Sequence, residues 1–370
     1  GGGSGGGAGG GAGGGAGGGA GGGGAAQCVP SLSTPVLRVR AGNFDGTGPE
    51  ELVIQTTSGT LATVSNVCGS VSVVPISTMG WGTLNGLDTV RRADGRTDIV
   101  VLATDAGLVH IRGGADPDGG PARGVIATFP LNEPELSYVE AFGFGGGPGD
   151  DVLVATYRTN PPQGTASSWV DQPNVMLNPG ASLNFPARAN SIAGLSGSPS
   201  YAFIASDSVS GIQIISSTSG TLTLNSHSSG NNFSHLHSLQ AASLLVGFGG
   251  GVLYGSKVVS GNLPGWAPIQ QADGGVLPSL GFINALEVGT FSGRLSDPPT
   301  AILVAIGNNV RVFPLSSVPP TNSVYTHEPY TLVAGAPVND LALADVTGDG
   351  NPDLIIAVDA TAGIVVSPGR

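Results

Sequence analysis

Basic residues are scarce in this chain, which has a single lysine, Lys257, among 13 Lys and Arg residues. Its 25 Asp and Glu residues give it a formal net charge of −12 at pH 7. No basic stripe and no patch of mixed basic and aromatic residues occurs, so nucleic acid is not an expected partner. The acidic balance fits an extracellular protein that uses divalent cations.

Long apolar runs are also missing. The longest one, residues 241–254, is too short and too rich in Gly to span a membrane. Val, Ile and Leu instead cluster in short runs bounded by Gly, Ser, Asn, Asp or Pro, and no apolar pattern of helical period continues beyond about three turns. The sequence therefore predicts an all-β protein.

Cysteine is limited to Cys28 and Cys68. They could be two free buried thiols, but a disulfide is favoured because the rest of the chain has the composition of a secreted protein. The sequence begins at Gly1 without Met or a signal segment, so we expect a processed or trimmed chain from an extracellular or cell-surface location.

Residues 1–26 form a Gly-rich tail in which the first non-Gly positions recur every four residues, at Ser4, Ala8, Ala12, Ala16 and Ala20. Such a segment has little to bury against its backbone entropy, which favours a flexible tether. In an extended strand the same period would place every Ala on one face, which would allow copies to stack into fibres. Secreted bacterial lipoproteins have a similar start, so a lipid anchor ahead of Gly1 stays open.

Residues 27–370 contain seven copies of a unit about 50 residues long, a period that predicts a seven-bladed β-propeller with one four-stranded blade per copy. We expect equivalent apolar positions in the first strands at Val39, Val90, Val139, Ile192, Leu239, Leu286 and Leu341. An apolar second strand follows in every copy, and a third strand follows that, which we expect at residues 175–177 in the third copy.

The last copy ends after its third strand, at residues 364–366. We expect the segment 28–35 to supply the missing fourth strand and to close the ring, since closure removes an open sheet edge. A disulfide between Cys28 and Cys68 would then lock this closure.

The turn in the last copy spaces oxygen-bearing side chains at alternate positions: Asp345, Thr347, Asp349 and then Asp353, with Asn351 offering its backbone carbonyl. Hard oxygen ligands in a tight Gly-containing turn suit Ca²⁺. Three carboxylates this close would also repel one another without a cation.

This turn, followed by Leu354-Ile355-Ile356, resembles the FG-GAP/VCBS repeats, a propeller repeat family also found in integrin alpha subunits. In the first copy the family's ligand positions fall on Asn43, Asp45, Thr47 and Glu51, with Thr47 in place of the usual Asp. The resemblance implies an extracellular propeller stabilised by Ca²⁺ and used for adhesion, recognition or scaffolding.

No catalytic pair of carboxylates, triad or cofactor motif emerges, so we expect a protein that is not an enzyme. The first hypothesis is a secreted or surface-attached assembly protein whose tail tethers it or polymerises it, with itself or an extracellular matrix component as partner. The alternative is an adhesin or lectin-like module that reads glycan or protein through its rim loops.

Two further sets of side chains are candidate binding sites. His235 and His237 would share one face of a strand, but no third metal ligand is placed near them, so a structural or surface role is expected. The three tryptophans could form a recognition surface or pack in the core: Trp81, Trp169 and Trp266.

Overall fold

The computed structural model describes residues 27–114, 123–131, 138–144, 149–159, 162–171, 177–185, 188–197, 199–206, 211–218, 221–228, 231–259, 263, 265–294, 297–317 and 323–370. In this part of the chain, 29 strands form seven separate sheets. Apart from one 3₁₀ turn, Gln240–Ala242, no helix occurs among these residues. The predicted tail, residues 1–26, lies outside them.

Five sheets are regular four-stranded antiparallel meanders. Blade 1 contains β1 (Val36–Gly42), β2 (Glu51–Thr56), β3 (Leu61–Ser65) and β4 (Ser72–Ile76). Blade 2 contains β5 (Leu84–Arg91), β6 (Thr97–Ala103), β7 (Gly107–Ile111) and β8 (Val125–Phe129). Blade 3 contains β9 (Tyr138–Phe142), β10 (Asp151–Thr159), β11 (Pro162–Asp171) and β12 (Leu177–Phe185). Blade 4 contains β13 (Ala189–Leu195), β14 (Ser200–Ser206), β15 (Gly211–Thr218) and β16 (Thr221–Ser228). Blade 5 contains β17 (His235–Leu239), β18 (Leu244–Gly249), β19 (Val252–Lys257) and β20 (Ala267–Pro268).

The last two sheets depart from this pattern. In blade 6 the third strand pairs with two short outer strands, and a sixth strand adds to the edge. Its strands are β21 (Gln270–Gln271), β22 (Ala285–Thr290), β23 (Thr300–Ile306), β24 (Asn309–Ser317), β25 (Tyr325–Thr326) and β26 (Tyr330–Val333). The sheet of blade 7 has three strands, β27 (Val338–Ala344), β28 (Asp353–Val358) and β29 (Ile364–Ser367).

The first strands of the blades follow one another around a closed ring, because β1 packs beside both β5 and β27 and each other first strand lies between two neighbours. The second strands are buried on both faces, as in β2, β6 and β28. Their apolar side chains form clusters between adjacent blades, which explains the continuous Val, Ile and Leu runs. The chain is a seven-bladed β-propeller, as the sequence predicts.

The segment before β1 closes the ring. Cys28 and Val366 exchange both of their backbone hydrogen bonds, at 3.0 and 2.9 Å, and Ser31 forms a second bridge with Gly363. Cys28 is disulfide-bonded to Cys68, which lies between β3 and β4 of blade 1. The expected fourth strand of blade 7 and the expected disulfide are both confirmed.

Two details of the expected repeat are wrong. Val39 pairs with Ile54 across β1 and β2, and the corresponding partner of Val101 in blade 2 is Leu87 rather than Val90. In blade 5 the partner of Val246 is His237, whereas Leu239 pairs with Leu244. The link between the first and second strands differs in length from blade to blade, spanning residues 43–50 in blade 1, 92–96 in blade 2 and 240–243 in blade 5, which disturbs the alignment of copies by sequence alone.

The third strand of blade 3 is also not where it was expected. The structure places β11 in that position, while residue 177 begins the outer strand β12 and residues 175–176 lie outside the described part. The reason is composition: β11 is rich in Ser, Thr and Gln and lacks the apolar run that marks the other third strands.

The two ends of the propeller carry different loops. The acidic turns connect the first and second strands of a blade, on the face that we term the bottom face. The links from one blade to the next, with the turns between second and third strands, lie on the opposite or top face. Residue 27 leaves the outer edge of blade 7 on the bottom side, because Cys28 pairs near the end of β29 and Ser31 near its start.

Candidate functional site

The acidic turns of the first and last blades meet at the point where the ring closes. The backbone N–H of Glu50 donates to the carbonyl of Asp345, and the backbone N–H of Asp345 donates to the Glu50 carboxylate, both at 3.0 Å. Gly348 is pressed against Pro49, and a Cβ on this glycine would lie 2.8 Å from the proline ring. The two predicted calcium turns are therefore neighbours.

The last turn is held by its own carboxylates. The two oxygens of Asp345 accept backbone N–H groups from Gly348, Asp349 and Gly350 at 2.7 to 3.1 Å. This needs positive φ angles at Gly348 and Gly350, of 77° and 87°, which glycine adopts without a Cβ penalty. Asp349 in turn accepts the N–H of Asn351 at 2.8 Å.

Asp353, which follows this turn, is fully buried and accepts three backbone N–H groups, from Val346, Thr347 and Gly369. Burial raises the pKa of Asp353, and the hydrogen bonds from Gly369, Thr347 and Val346 only partly oppose this. The structure thus brings Asp345 and Asp353 into one hydrogen-bonded turn, with Asp349 on its exposed side.

The first turn has acceptor oxygens that lack a donor. Asn43 Oδ1 and Glu51 Oε2 are buried and have no hydrogen-bond partner among the described residues, while Asp45 accepts from the backbone and hydroxyl of Thr47. The pKa of Glu51 is raised, first by burial and then by the negative charge of Asp45. Unpaired buried oxygens are the kind of ligand that a hard cation takes, so the residues of this turn fit Ca²⁺.

In blade 2 the carboxylate at the start of the second strand is paired with basic side chains of the chain itself. Asp98, which corresponds to Asp353, lies 3.0 Å from the guanidinium of Arg92 and 3.0 Å from Nε2 of His110, and all three are buried. Burial raises the pKa of Asp98, but His110, the N–H of Gly113 and the charge of Arg92 outweigh it and hold this pKa below its usual value. Arg92 thus supplies a positive charge beside the turn of blade 2, whereas the turns of blades 1 and 7, residues 43–50 and 345–352, contain no arginine.

The side chains of these turns do not form an acidic cage. Within the described ranges, no group of three or more His, Cys, Asp or Glu side chains lies close enough together to hold a metal ion. A cation at this edge would depend on amide, hydroxyl and backbone oxygens together with one or two carboxylates, and calcium binding stays a prediction.

The central channel contains a charged network that sequence patterns do not reveal. The guanidinium of Arg40 lies 2.7 Å from Asp340 and 3.6 Å from Asp88, which links blades 7, 1 and 2. His237 Nε2 lies 3.0 Å from Glu287, which links blades 5 and 6. The cavity has a volume of about 390 Å³, and Glu140 from blade 3 also lines it.

The channel groups have shifted pKa values. Burial and the nearby charge of Asp88 raise the pKa of Glu140 to about 8, and burial raises that of Asp88 to about 6 despite the charge of Arg40. Burial opposes the protonation of His237, but the charges of Glu287 and Glu140 raise its pKa to about 9. Sequence patterns do not indicate these contacts, because the charged side chains come from the first strands of different blades.

The remaining sequence candidates have structural roles. His235 also lines the channel, but its pKa is lowered by burial, and no third ligand from the described part of the chain joins it and His237. Trp81 and Trp169 are buried, and Trp266 packs 4.5 Å from the ring of Phe233. For Trp81 and Trp266 the packing alternative is confirmed, whereas Trp169 is 5% exposed and borders a groove beside blade 2.

The top face presents apolar side chains to solvent. Met79, in the link from blade 1 to blade 2, is 91% exposed, and Phe282, in the link to blade 6, is 95% exposed. Phe282 is two residues from Asn284, which lines the channel. The bottom face carries the acidic turns and the start of the described chain, so the molecule has two chemically different ends.

Comparison with known proteins identifies the fold and no family. No protein-family model matches the chain, and no curated protein matches it. Two solved structures of BBS1N in complex with ARL6DN, one soaked with mercury and one with lead, are similar to it, each with a TM-score of 0.61 and 15% sequence identity. The match covers 93% of this chain and 94% and 96% of those chains.

The likeness is one of fold. At 15% identity it supports the propeller architecture over nearly the whole described chain and says nothing about activity. The resemblance of the acidic turns to FG-GAP/VCBS repeats therefore stays a prediction. No helix in the described part of the chain is long and apolar enough to cross a membrane, and the disulfide is typical of proteins from oxidising compartments.

Proposed function

We propose that this chain is a non-enzymatic, extracellular assembly protein in which the propeller is the interaction module and the Gly-rich tail attaches or polymerises it. The observation that carries the proposal is the covalent and hydrogen-bonded closure at Cys28. It fixes the root of the tail on the rim of blade 7, on the bottom side, and leaves the top face available to a partner.

A protein partner is supported by the fold and by the top face. The similar propeller BBS1N was solved in complex with a protein partner, ARL6DN. Propellers present two loop-bearing faces, and here one of them displays Phe282 almost fully exposed beside the channel mouth. A large exposed aromatic side chain is costly in water and favourable in an interface.

Calcium would add rigidity where the ring closes. Asn43, Asp45 and Glu51 in the first turn, with Asp345, Asp349 and Asp353 in the last, are the residues that would hold it. A cation here would satisfy the unpartnered oxygens of Asn43 and Glu51 and would tie blade 1 to blade 7 beside the disulfide. Secretion is supported by the disulfide and by the acidic composition.

The experiment compares the full chain with a variant that starts at Gln27, by sedimentation velocity and negative-stain electron microscopy. The full chain is expected to form oligomers or filaments, and the shortened chain is expected to be monomeric with an unchanged melting temperature. A matched variant of full length, with Ser at positions 8, 12, 16 and 20, tests whether the apolar face of the tail drives assembly. Monomers in both the full and the shortened protein would contradict the assembly role.

A further inference from the structure

Blade 3 projects beyond blade 2 on the top side. Its strands β10, β11 and β12 are nine, ten and nine residues long, whereas β7 and β8 of blade 2 have five residues each. Among the described residues, the face of blade 3 that packs on blade 2 is therefore covered only near its lower part. There Val152, Val154 and Trp169 pack against Val100 and Leu102.

The uncovered part of this face is polar, and its residues share one side of the sheet by register. Thr156 pairs with Thr165, Thr165 with Asn184, and Ser167 with Ser182. Their side chains are joined across the strands, since the Thr165 hydroxyl donates to Asn184 Oδ1 at 3.0 Å and the Ser167 and Ser182 hydroxyls are 3.0 Å apart. The alternate residues of β11 and β12, such as Ala166, pack on blade 4 instead.

These residues line a groove of about 430 Å³, with Pro130 and Leu131 from the end of blade 2 on its other side. That volume lies within the range of small-molecule sites. Among the described residues that line it, no side chain is ionisable, in contrast with the channel. Gln163 also lines it, and the side-chain nitrogen of Asn184 is not used in the bond to Thr165.

A second, independent observation comes from Trp169, which lines the groove and is 95% buried, with 5% of its surface exposed. Its indole Nε1 has no hydrogen-bond partner in the part of the chain that the structure describes. A buried N–H without an acceptor is costly, and native proteins rarely keep one without a reason. An acceptor oxygen from a ligand would satisfy it.

We propose that this groove binds an uncharged carbohydrate. Sugar hydroxyls both donate and accept, which matches a lining of Ser, Thr, Asn and Gln side chains that do the same. The C–H faces of a pyranose would rest on Pro130 and Leu131. The described lining residues include no Lys or Arg that could balance a negative charge, which favours a neutral sugar over an anionic one.

The site goes beyond the proposed assembly role and depends on neither the tail nor calcium. The test uses the full chain and a panel of neutral oligosaccharides built from glucose, mannose, galactose and N-acetylglucosamine, followed by saturation-transfer NMR and calorimetry. At least one member is expected to bind, and Asn184→Ala combined with Gln163→Ala is expected to weaken binding at least tenfold. Ser182→Phe, at an exposed position, is expected to block the groove.

Asn225→Ala is the matched control, since Asn225 is an exposed asparagine on β16, the corresponding outer strand of blade 4. It should leave binding unchanged, and all variants should keep the melting temperature of the parent. The proposal is overturned if no neutral oligosaccharide binds, if the groove variants bind as the parent does, or if sialylated sugars or neutral peptides bind at the groove more tightly than neutral sugars.

Discussion

The guanidinium of Arg40 lies 2.7 Å from the carboxylate of Asp340, so one ion pair joins the first strand of the first blade to the first strand of the last. Asp340 also accepts the backbone N–H of Val39 at 3.1 Å, and Arg40 reaches Asp88 of the next blade at 3.6 Å. The seam of the ring is thus held from inside by charge and from outside by the disulfide at Cys28.

Replacing Arg40 should destabilise the propeller. Arg40→Met leaves Asp88 and Asp340 without their cation in a channel that only partly admits water, and 34% of the Arg40 side chain is exposed there. We expect a loss of about 1–3 kcal/mol in the free energy of unfolding, less than for a fully buried pair, because solvent screens part of the charge. Urea unfolding measures it.

The control is Arg91→Met, because Arg91 makes a 3.6 Å pair with Asp150 at an exposed site where the arginine side chain is 67% exposed. It should change stability by less than about 1 kcal/mol. Equal losses of stability from the two substitutions would contradict this prediction. They would mean that solvent screens the Arg40–Asp340 pair as strongly as the Arg91–Asp150 pair.

Stability should fall as the pH rises from about 5 to 9. Glu140 keeps its proton in the folded state up to a pKa of about 8, whereas an unfolded glutamate has lost it well below this pH, so the folded state is penalised progressively across that window. His237 acts in the same direction, because its pKa of about 9 gives a contribution that is complete below about pH 6.5 and lost by about pH 9.

Melting temperatures at a series of pH values test this, with Glu140→Gln as the variant. This substitution removes one titrating group, so the curve between pH 5 and 8 should become flatter by up to about 1.4 kcal/mol per pH unit. A parent protein that is equally stable at pH 5 and pH 9 would show that the channel groups do not control stability.

Reduction of the Cys28–Cys68 disulfide should destabilise the ring. The bond closes a loop with a sequence separation of 40 residues, for which chain entropy gives about 4 kcal/mol. The melting temperature with and without reductant measures the effect. The double variant Cys28→Ser, Cys68→Ser should melt at the lower temperature in both conditions, and a reductant effect in this variant would point to another cause.

Chelation of calcium should lower the melting temperature, and Asp349→Ala should reduce this difference. Asp349 suits the test because its carboxylate is on the exposed side of the turn and accepts the N–H of Asn351 there, so its loss perturbs the fold little. Asp359→Ala, at an exposed turn on the opposite face, is the control and should keep the full calcium response. An identical melting temperature in excess calcium and in excess chelator would contradict the proposal that calcium stabilises this protein.

Much of the architecture follows from local sequence signals. Short Val, Ile and Leu runs such as Asp353–Val358 can be buried on both faces only as central strands, and Gly348 and Gly350 specify a tight turn by their positive φ angles. The position of Cys28 before the first copy and of Cys68 late in that copy predicted the closure, because a blade with three strands leaves one edge to be paired.

The sequence by itself therefore determined the seven blades and the location of the acidic turns, since each depends on patterns within about 50 residues. It also determined the closure, since the last copy lacks a fourth strand and the segment at Cys28 belongs to no copy. Only the tertiary structure decided which charges meet in the channel and which polar face of blade 3 stays uncovered. Arg40 and Asp340 are 300 residues apart in the chain, and the groove beside Thr165 exists because neighbouring blades differ in strand length. Both depend on how the sheets stack around the ring, which no local pattern encodes.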